Sequence, residues 1–336
     1  MKEARFYEKL EGGGVHCSLC PHGCIVREGR RGICGVRENR GGTLVSLVYG
    51  KPVALHVDPI EKKPLFHFLP GSSSFSLATA GCNMSCQYCQ NADISQGPRE
   101  KRAIEGEAAD PGSVVQAAAS QSCRTISYTY TEPAVYWEYA YDIAVLAEPA
   151  GIRNVFVTNG FWSKEALAAM LPSMHAANVD LKFFRDASYK RICGAKLQPV
   201  LDTIRGMHQG GIWVEVTTLL VPGLNDSGEE LNDIARFIAG VDPSIPWHIS
   251  RFHPQYKMTD RPPTDPRWIR KARDIGLRAG LRFVYSGNVP GDEGENTNCP
   301  VCGHGLVLRW GFTVRKNEIK AGKCPRCGET IQGVWA

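Results

Sequence analysis

From Ser74 onward, short runs of β-type residues alternate with segments of helical length. The six runs read SFSLATA, TISYTYT, NVFVTN, NVDLKFF, WVEVTTLL and WHISRF, and the helical segments span 111–121, 134–147, 163–171, 198–209, 227–238 and 265–279. Ser163 and Ser227 suit the N-caps of two of these helices. Parallel strands need crossover connections of this length. The alternation therefore predicts an α/β fold with a parallel sheet, either an open doubly wound sheet or a barrel of six units.

The flanking sequence predicts two smaller units. Two β-type stretches, 44–48 and 53–57, indicate a short hairpin or small lobe. After a last run at 282–285, the sequence SGNVPGDEGEN is rich in Gly, Pro and Asn and predicts a domain boundary. We therefore expect an N-terminal cysteine-rich segment and β-rich lobe (1–70), the main α/β domain (71–290) and a C-terminal domain (291–336).

Cysteine is the informative part of the composition. The chain of 336 residues carries 13 cysteines, and groups of four, three and four leave only Cys123 and Cys193 alone. No apolar run approaches the roughly 18 residues that span a bilayer, and the charged stretch 1–14 does not fit a signal peptide. We therefore expect a cytoplasmic protein without membrane association, whose grouped thiols serve metal or redox chemistry. The two lone cysteines are expected to be buried and inert.

The central group, GCNMSCQYCQN, holds Cys82, Cys86 and Cys89 in the spacing C-x3-C-x2-C directly after the first run. Three thiolates on a cube-shaped 4Fe-4S cluster leave its fourth iron free to bind another molecule. A structural zinc ion instead takes four closed ligands, and no histidine stands nearby. The spacing therefore favours an iron-sulfur cluster.

With Tyr88 as the aromatic residue before its last cysteine, this loop resembles the C-x3-C-x-aromatic-C signature of the radical S-adenosylmethionine (SAM) superfamily. The resemblance implies a partial (β/α)6 barrel that matches the six units counted above. It implies SAM at the free iron, with Tyr88 beside the cofactor. It also implies reductive cleavage of SAM to methionine and a 5'-deoxyadenosyl radical that takes hydrogen from a substrate.

Two further segments resemble the pyruvate formate-lyase activating enzyme branch: HVDPIEKKPLFHFLPG at 56–71, and CQNADISQ after the cysteines. Nearly the whole chain resembles the radical SAM enzyme of the AmmeMemoRadiSam system. These resemblances imply an electron donor such as flavodoxin or ferredoxin. They leave open a protein substrate, a small-molecule substrate, and Memo-like or AMMECR-type partners.

Polar residues at strand ends extend the likeness. Glu132 in TYTEP resembles a glutamate that binds the SAM amino group, although Tyr130 and Thr131 replace two glycines of that motif. A helix cap before Pro133 is the alternative role for this glutamate. Asn159 in VTNG resembles a ribose contact, and a turn-forming Asn-Gly is the alternative.

Three residues from later strands complete the candidate cofactor site. Asp180 and Lys182 lie on one strand face in an otherwise apolar run. The resemblance implies that they serve the SAM carboxylate or the substrate, and an internal salt bridge is the alternative. His248 in PWHISRFHP resembles a histidine near SAM in activating enzymes, and the alternative is a hydrogen-bonded core histidine.

The C-terminal group reads CPVCG and CPRCG, with Cys299, Cys302, Cys324 and Cys327 spaced C-x2-C-x21-C-x2-C. Two such knuckles supply the four thiolates of a tetrahedral site, and a bound metal stabilises a segment too short for its own core. The spacing predicts a zinc ribbon. A rubredoxin-like iron site is the alternative.

The N-terminal group, Cys17, Cys20, Cys24 and Cys34, is spaced C-x2-C-x3-C-x9-C. This spacing fits neither a ferredoxin run nor a symmetrical zinc pair. Four thiolates nevertheless indicate a closed site. We favour structural zinc, and the alternative is a second 4Fe-4S cluster that feeds electrons to the first.

The leading functional hypothesis is a radical SAM oxidoreductase of the activating-enzyme type. Its rival is a non-catalytic zinc and iron-sulfur module that binds a partner, or nucleic acid through the basic segment 27–40. Nucleic acid is not the expected partner. Loss of SAM cleavage on replacing Cys89 would distinguish the two hypotheses.

Overall fold

The structure is a computed structural model, and it describes residues 1–289 and 291–336. Residues 1–46 form six short strands: β1 (Lys2–Glu3), β2 (Tyr7–Lys9), β3 (Val15–Cys17), β4 (Cys24–Val26), β5 (Arg37–Arg40) and β6 (Thr43–Ser46). They make two antiparallel sheets, ordered β2-β3-β4 and β1-β6-β5. The first sheet places Cys17 directly opposite Cys24.

A larger sheet forms the body of the molecule. Its strands in the described residues are β7 (Pro52–Pro59), β8 (Ser73–Thr79), β9 (Thr125–Tyr128), β10 (Arg153–Thr158), β11 (Ala176–Asp180), β12 (Trp213–Leu220), β13 (Trp247–Arg251) and β14 (Val284–Gly287). They lie side by side in chain order, with β8 to β14 parallel and β7 antiparallel to β8. Because this order never reverses, the doubly wound alternative is wrong, since that fold has a switch point.

The α-helices of the described residues are α1 (Ala92–Glu100), α2 (Pro111–Ser120), α3 (Trp137–Ala147), α4 (Lys164–Met170), α5 (Asp186–Ser188), α6 (Leu197–Gln209), α7 (Gly228–Val241) and α8 (Pro266–Arg278). A short π-helix, Tyr189–Cys193, follows α5. Ser163 and Ser227 accept backbone N–H groups at the starts of α4 and α7, which confirms both predicted N-caps. None of the described helices is long and apolar enough to cross a membrane.

Two strands differ from the expectation. The stretch 53–57 does not pair with 44–48, because β7 pairs with β8 while β6 pairs with β5 and β1. The run at 282–285, which was not counted among the six units, contributes to β14 and extends the parallel sheet beyond six strands. β7 and β14 each pair with a strand that would otherwise lie at the edge of the sheet with unpaired backbone N–H and C=O groups.

The C-terminal sheet contains β15 (Thr297–Asn298), β16 (Gly305–Trp310) and β17 (Thr313–Asn317), all antiparallel. Its buried Leu306 and Val307 cluster with Phe66 and Tyr285 of the body. The predicted boundary at 290/291 falls at Pro290, which lies outside the described residues. The C-terminal sheet thus packs on the body through an apolar contact.

Candidate active site

The central cysteines lie in a loop, 82–89, between β8 and α1. The backbone N–H of Ser85 donates to the Cys193 carbonyl at 2.8 Å. Gly81 precedes the loop with φ of +98°, and a Cβ there would lie 2.5 Å from Cγ1 of Val36. The loop is therefore held between the π-helix and the N-terminal segment.

A cavity of about 540 Å³ opens beside this loop. Its lining includes Cys82, Cys86 and Cys89, together with five residues predicted to bind the cofactor: Tyr88, Glu132, Asn159, Asp180 and Lys182. They converge because the carboxyl ends of parallel strands meet at one edge of the sheet. The volume is within the range of small-molecule binding sites.

The three central sulfurs are not clustered as tightly as the C-terminal set. Among the described residues, one group of three or more His, Cys, Asp or Glu side chains has all its ligand atoms within 4.8 Å of one another, and it is the C-terminal cysteine set. The central sulfurs are therefore more widely spaced than that set. A 4Fe-4S cluster at these cysteines stays a prediction.

Glu132 is 2% exposed and lines the cavity. Its carboxylate accepts hydrogen bonds from Thr158 Oγ1 at 2.7 Å, from the Asn159 N–H at 2.8 Å and from the Ala134 N–H at 3.0 Å. Burial raises its pKa to about 7, although these bonds favour the ionised form. Glu132 thus caps the turn that follows it and also presents a carboxylate to the cavity.

Tyr130 keeps a glycine-like backbone where the related motif has glycine. Its φ is +62°, in the left-handed region that favours glycine. Its hydroxyl donates to Asp58, and Lys63 donates to the same carboxylate at 2.7 Å. Both Tyr130 and Lys63 line the cavity. Sequence reasoning missed the roles of Asp58 and Lys63, whose signal was the resemblance of 56–71.

Asn159 is bound to the cysteine loop. Its Nδ2 donates to Asn83 Oδ1 at 2.8 Å and lies 3.6 Å from the Cys82 sulfur. Its Oδ1 accepts the N–H of Phe161 at 3.0 Å, and Gly160 has φ of +72°. The Asn-Gly turn is therefore formed, and the ribose contact stays a prediction.

Asp180 and Lys182 form a salt bridge at the cavity wall. The Lys182 ammonium donates to Asp180 at 2.8 Å. Burial opposes the charged ammonium, but Asp180 and the nearby Cys86 raise the pKa of Lys182 overall. The pair thus forms the salt bridge that was the alternative, and because both residues line the cavity their contact with SAM or substrate stays a prediction.

His248 lies deeper in the sheet than the cavity. Ser250, two residues further along β13, is part of the described cavity lining, whereas His248 is not. The His248 ring nitrogen pairs with Glu215 at 2.6 Å, and its ring packs 4.7 Å from that of Phe66. This geometry matches the core-histidine alternative, and contact with SAM stays a prediction.

Cys193 is buried, as predicted, and so is Cys123. The Cys193 sulfur lies 3.9 Å from the Tyr88 hydroxyl. Nothing in the local sequence indicates this position. Cys193 reaches the cysteine loop because the π-helix packs against it.

The C-terminal cysteines form the metal-binding group that the sequence predicts. The sulfurs of Cys299 and Cys327 are 3.5 Å apart, and those of Cys302 and Cys324 are 3.8 Å apart. All four lie within 4.8 Å of one another. This is the spacing of thiolates around a single ion.

Comparison with known proteins agrees with this site. The Radical SAM superfamily model matches residues 76–238. The chain is 46% identical over 334 residues to the uncharacterized protein MJ0808 of Methanocaldococcus jannaschii, covering 98% of this chain and 99% of that protein. It is 24% identical over 161 residues to a pyruvate formate-lyase-activating enzyme of Clostridium pasteurianum, covering 48% of this chain and 67% of that protein.

A solved structure shares the fold. A radical SAM methyltransferase from Sphaerobacter thermophilus aligns with a TM-score of 0.52 and 17% identity, covering 68% of this chain and 71% of that one. The family match spans the cysteine loop and the cavity residues from Glu132 to Lys182. The rival hypothesis of a non-catalytic module does not account for these matches. The chain therefore belongs to the radical SAM superfamily and is an enzyme of radical SAM type with an α/β fold and a parallel sheet.

Proposed function

We propose that this enzyme binds a 4Fe-4S cluster at Cys82, Cys86 and Cys89 and cleaves SAM reductively in the adjoining cavity. The observation that carries the proposal is the convergence of three thiols with an acidic and a basic side chain on one cavity. When bound, the cluster supplies the electron that breaks a carbon–sulfur bond of SAM, giving methionine and a 5'-deoxyadenosyl radical. The radical then takes hydrogen from the substrate.

Charged residues of the cavity complement the amino acid part of SAM. The Glu132 carboxylate suits the SAM ammonium, because a charge-assisted hydrogen bond is stronger than a neutral one. Lys182 uses one of its three donors for Asp180 and retains donors for the SAM carboxylate. The two residues would therefore fix the orientation of SAM relative to the cysteine loop.

The walls of the cavity limit side reactions of the radical. Tyr88, Val157, Leu219 and Phe312 contribute apolar surface to its lining. Phe312 comes from the turn between β16 and β17, so the C-terminal sheet supplies part of the wall. Exclusion of water protects reactive intermediates from unwanted reactions.

We infer that the substrate is a residue of a partner protein, and a small molecule is the alternative. The inference is supported by the relative named pyruvate formate-lyase-activating enzyme. Membership of the AmmeMemoRadiSam system, proposed from sequence resemblance, makes Memo-like and AMMECR-type proteins the first partners to test. Flavodoxin or ferredoxin is the proposed electron donor.

We also propose that zinc occupies the C-terminal cysteines. Thiolates bind zinc at about 2.3 Å in a tetrahedron, which sets neighbouring sulfurs about 3.8 Å apart. The sulfur–sulfur distances of 3.5 and 3.8 Å in the structure are close to that value. A bound ion would stabilise the C-terminal sheet, which has few buried apolar residues of its own.

The test is anaerobic reconstitution with iron and sulfide, reduction with dithionite, addition of SAM, and measurement of 5'-deoxyadenosine. We expect product from the wild type and none from a Cys82/Cys86/Cys89→Ala variant. Cys123→Ala is the matched control, because Cys123 is buried but lies outside the cavity lining. It should retain product.

Two results would overturn the proposal. One is 5'-deoxyadenosine from the triple variant at the wild-type rate. The other is a wild-type protein that carries a reducible cluster, binds SAM and forms no product with any of the candidate partners.

A further inference from the structure

The N-terminal cysteines come together in the fold. Cys17 and Cys24 face each other across β3 and β4, and Ile33, next to Cys34, donates its N–H to the Cys24 sulfur at 3.5 Å. Cys20 lies in the turn that joins β3 to β4, where its carbonyl accepts the Gly23 N–H at 3.1 Å. The four cysteines therefore lie close together in the fold.

The spacing of these sulfurs differs from that of the C-terminal set. Across the described residues, only the C-terminal cysteines bring three or more ligand atoms within 4.8 Å of one another. No three of the N-terminal sulfurs meet this limit. Since one zinc ion sets its thiolates about 3.8 Å apart, the N-terminal set does not have the spacing of a single-ion site.

The N-terminal cysteines lie directly against the central cysteine loop. The guanidinium of Arg99 donates to the carbonyl of Ile33 and, at 2.5 Å, to the carbonyl of Cys82. A Cβ on Gly81 would lie 3.0 Å from the Cys34 carbonyl oxygen. One side chain thus joins the two cysteine-bearing segments, and the backbone next to Cys82 touches that of Cys34.

The same region also faces solvent. Ile25 is 72% exposed and Ile33 is 47% exposed. Of the five arginines in residues 24–40, Arg37 is buried and paired with Glu138, whereas Arg31 and Arg40 pair with Glu38. Arg27 and Arg30 are exposed, as is Glu28 between them. An apolar patch beside two exposed arginines suits an acidic protein that docks transiently.

We propose that Cys17, Cys20, Cys24 and Cys34 hold a second 4Fe-4S cluster, which relays electrons from a docked one-electron carrier protein to the radical-generating cluster. Four protein ligands leave no iron free for SAM, so this cluster only transfers electrons. In each step one electron moves: the carrier is oxidised as the second cluster is reduced, and the second cluster is reoxidised as the first is reduced. The relay rests on the proposed function, whereas the presence of the cluster does not.

The first test counts metal in the full-length protein. After anaerobic reconstitution with iron, sulfide and zinc, the Cys82/Cys86/Cys89→Ala variant should retain about four iron and four sulfide per chain. Adding Cys20→Ala and Cys24→Ala to it should remove that iron and leave the zinc. Cys302→Ser in the triple-variant background is the matched control, and it should lose zinc and keep iron.

Zinc without iron in the triple variant would overturn the proposal. So would iron that is unaffected by the additional Cys20→Ala and Cys24→Ala changes. These readouts do not use SAM cleavage, so failure of the proposed function leaves them interpretable. Retained C-terminal zinc shows that the variants are folded.

The second test concerns the relay. In Cys20/Cys24→Ala, the ratio of 5'-deoxyadenosine formed with reduced flavodoxin to that formed with dithionite should fall at least tenfold relative to wild type. Dithionite is a small reductant that does not need the docking surface. An unchanged ratio would contradict the relay.

Discussion

At the scale of single residues, Glu215 joins the segment that contains Phe66 and His67 to His248 of β13. Its carboxylate accepts the backbone N–H groups of Phe66 and His67 at 3.0 and 2.8 Å and pairs with His248. Burial favours the neutral acid, but His248 and His67 hold the pKa of Glu215 below its usual value. Strand periodicity indicates that His248 faces the interior. It does not indicate how far His248 lies from the cavity, because the residues that pack against it, such as Phe66, come from a distant part of the chain.

We expect Glu215→Gln to lower the free energy of unfolding by about 3 kcal/mol at pH 7, because it takes the charged acceptor from the buried hydrogen bond with His248 and from two backbone N–H donors. A depressed carboxyl pKa contributes stability above the unfolded value of about 4.3, and this contribution is lost as pH falls through the folded value. The difference from wild type should therefore shrink below pH of about 4. Denaturant unfolding of wild type and variant at pH 7 and below pH of about 4 measures this difference in the free energy of unfolding.

The matched control is Glu229→Gln. Glu229 is 82% exposed and pairs with Arg185, so its loss should change the free energy by less than about 1 kcal/mol. Equal losses in the two variants would contradict the role assigned to Glu215.

At the scale of elements, the helices and strands follow from local signals, whereas their contacts do not. Capping residues and alternating runs predicted all six strand-plus-helix units. Helix α8 illustrates the limit. A Cβ on its Gly276 would lie 2.9 Å from the ring of Trp247, whereas one on Gly240 of α7 meets nothing within 4 Å. Nothing in the sequence distinguishes these two helical glycines. They differ in the side chain that packs against each position, and that side chain comes from elsewhere in the chain.

Substituting the two glycines should therefore have opposite effects. Gly276→Ala should destabilise the protein by about 1–3 kcal/mol through overpacking against β13. Gly240→Ala should stabilise it by about 0.5 kcal/mol, because alanine restricts the unfolded chain and favours the helix. Thermal unfolding of both variants is the measurement. A rise in melting temperature for Gly276→Ala would show that the contact with Trp247 is not tight.

At the scale of the whole molecule, Arg309 joins the C-terminal sheet to the body. Its guanidinium donates to the Phe66 carbonyl at 2.8 Å and lies 3.7 Å from the Glu61 carboxylate, with both charged side chains buried. The sequence predicted a separate C-terminal metal-binding unit but did not select the surface to which it docks. The docking contact includes the buried pair of Arg309 and Glu61, which are far apart in the sequence.

We expect Arg309→Ala to loosen the C-terminal sheet. Amide hydrogen exchange in β15 to β17 should accelerate at least tenfold, while exchange in β9 to β12 changes little, because only the docking contact loses its charged partner. Arg315→Ala is the control, since Arg315 is exposed on the same sheet. Unchanged exchange in the Arg309 variant would show that the apolar contact alone holds the sheet.

The contribution of Phe312 to the cavity wall has a consequence for biosynthesis. A ribosome makes the chain from its N-terminus, so the cysteine loop and the charged cavity residues exist before β16 and β17 are made. A nascent chain thus carries the residues proposed to hold the cluster and SAM before it has Phe312. Insertion of the cluster after translation would delay radical formation until the cavity wall is complete and spare the unfinished chain from damage.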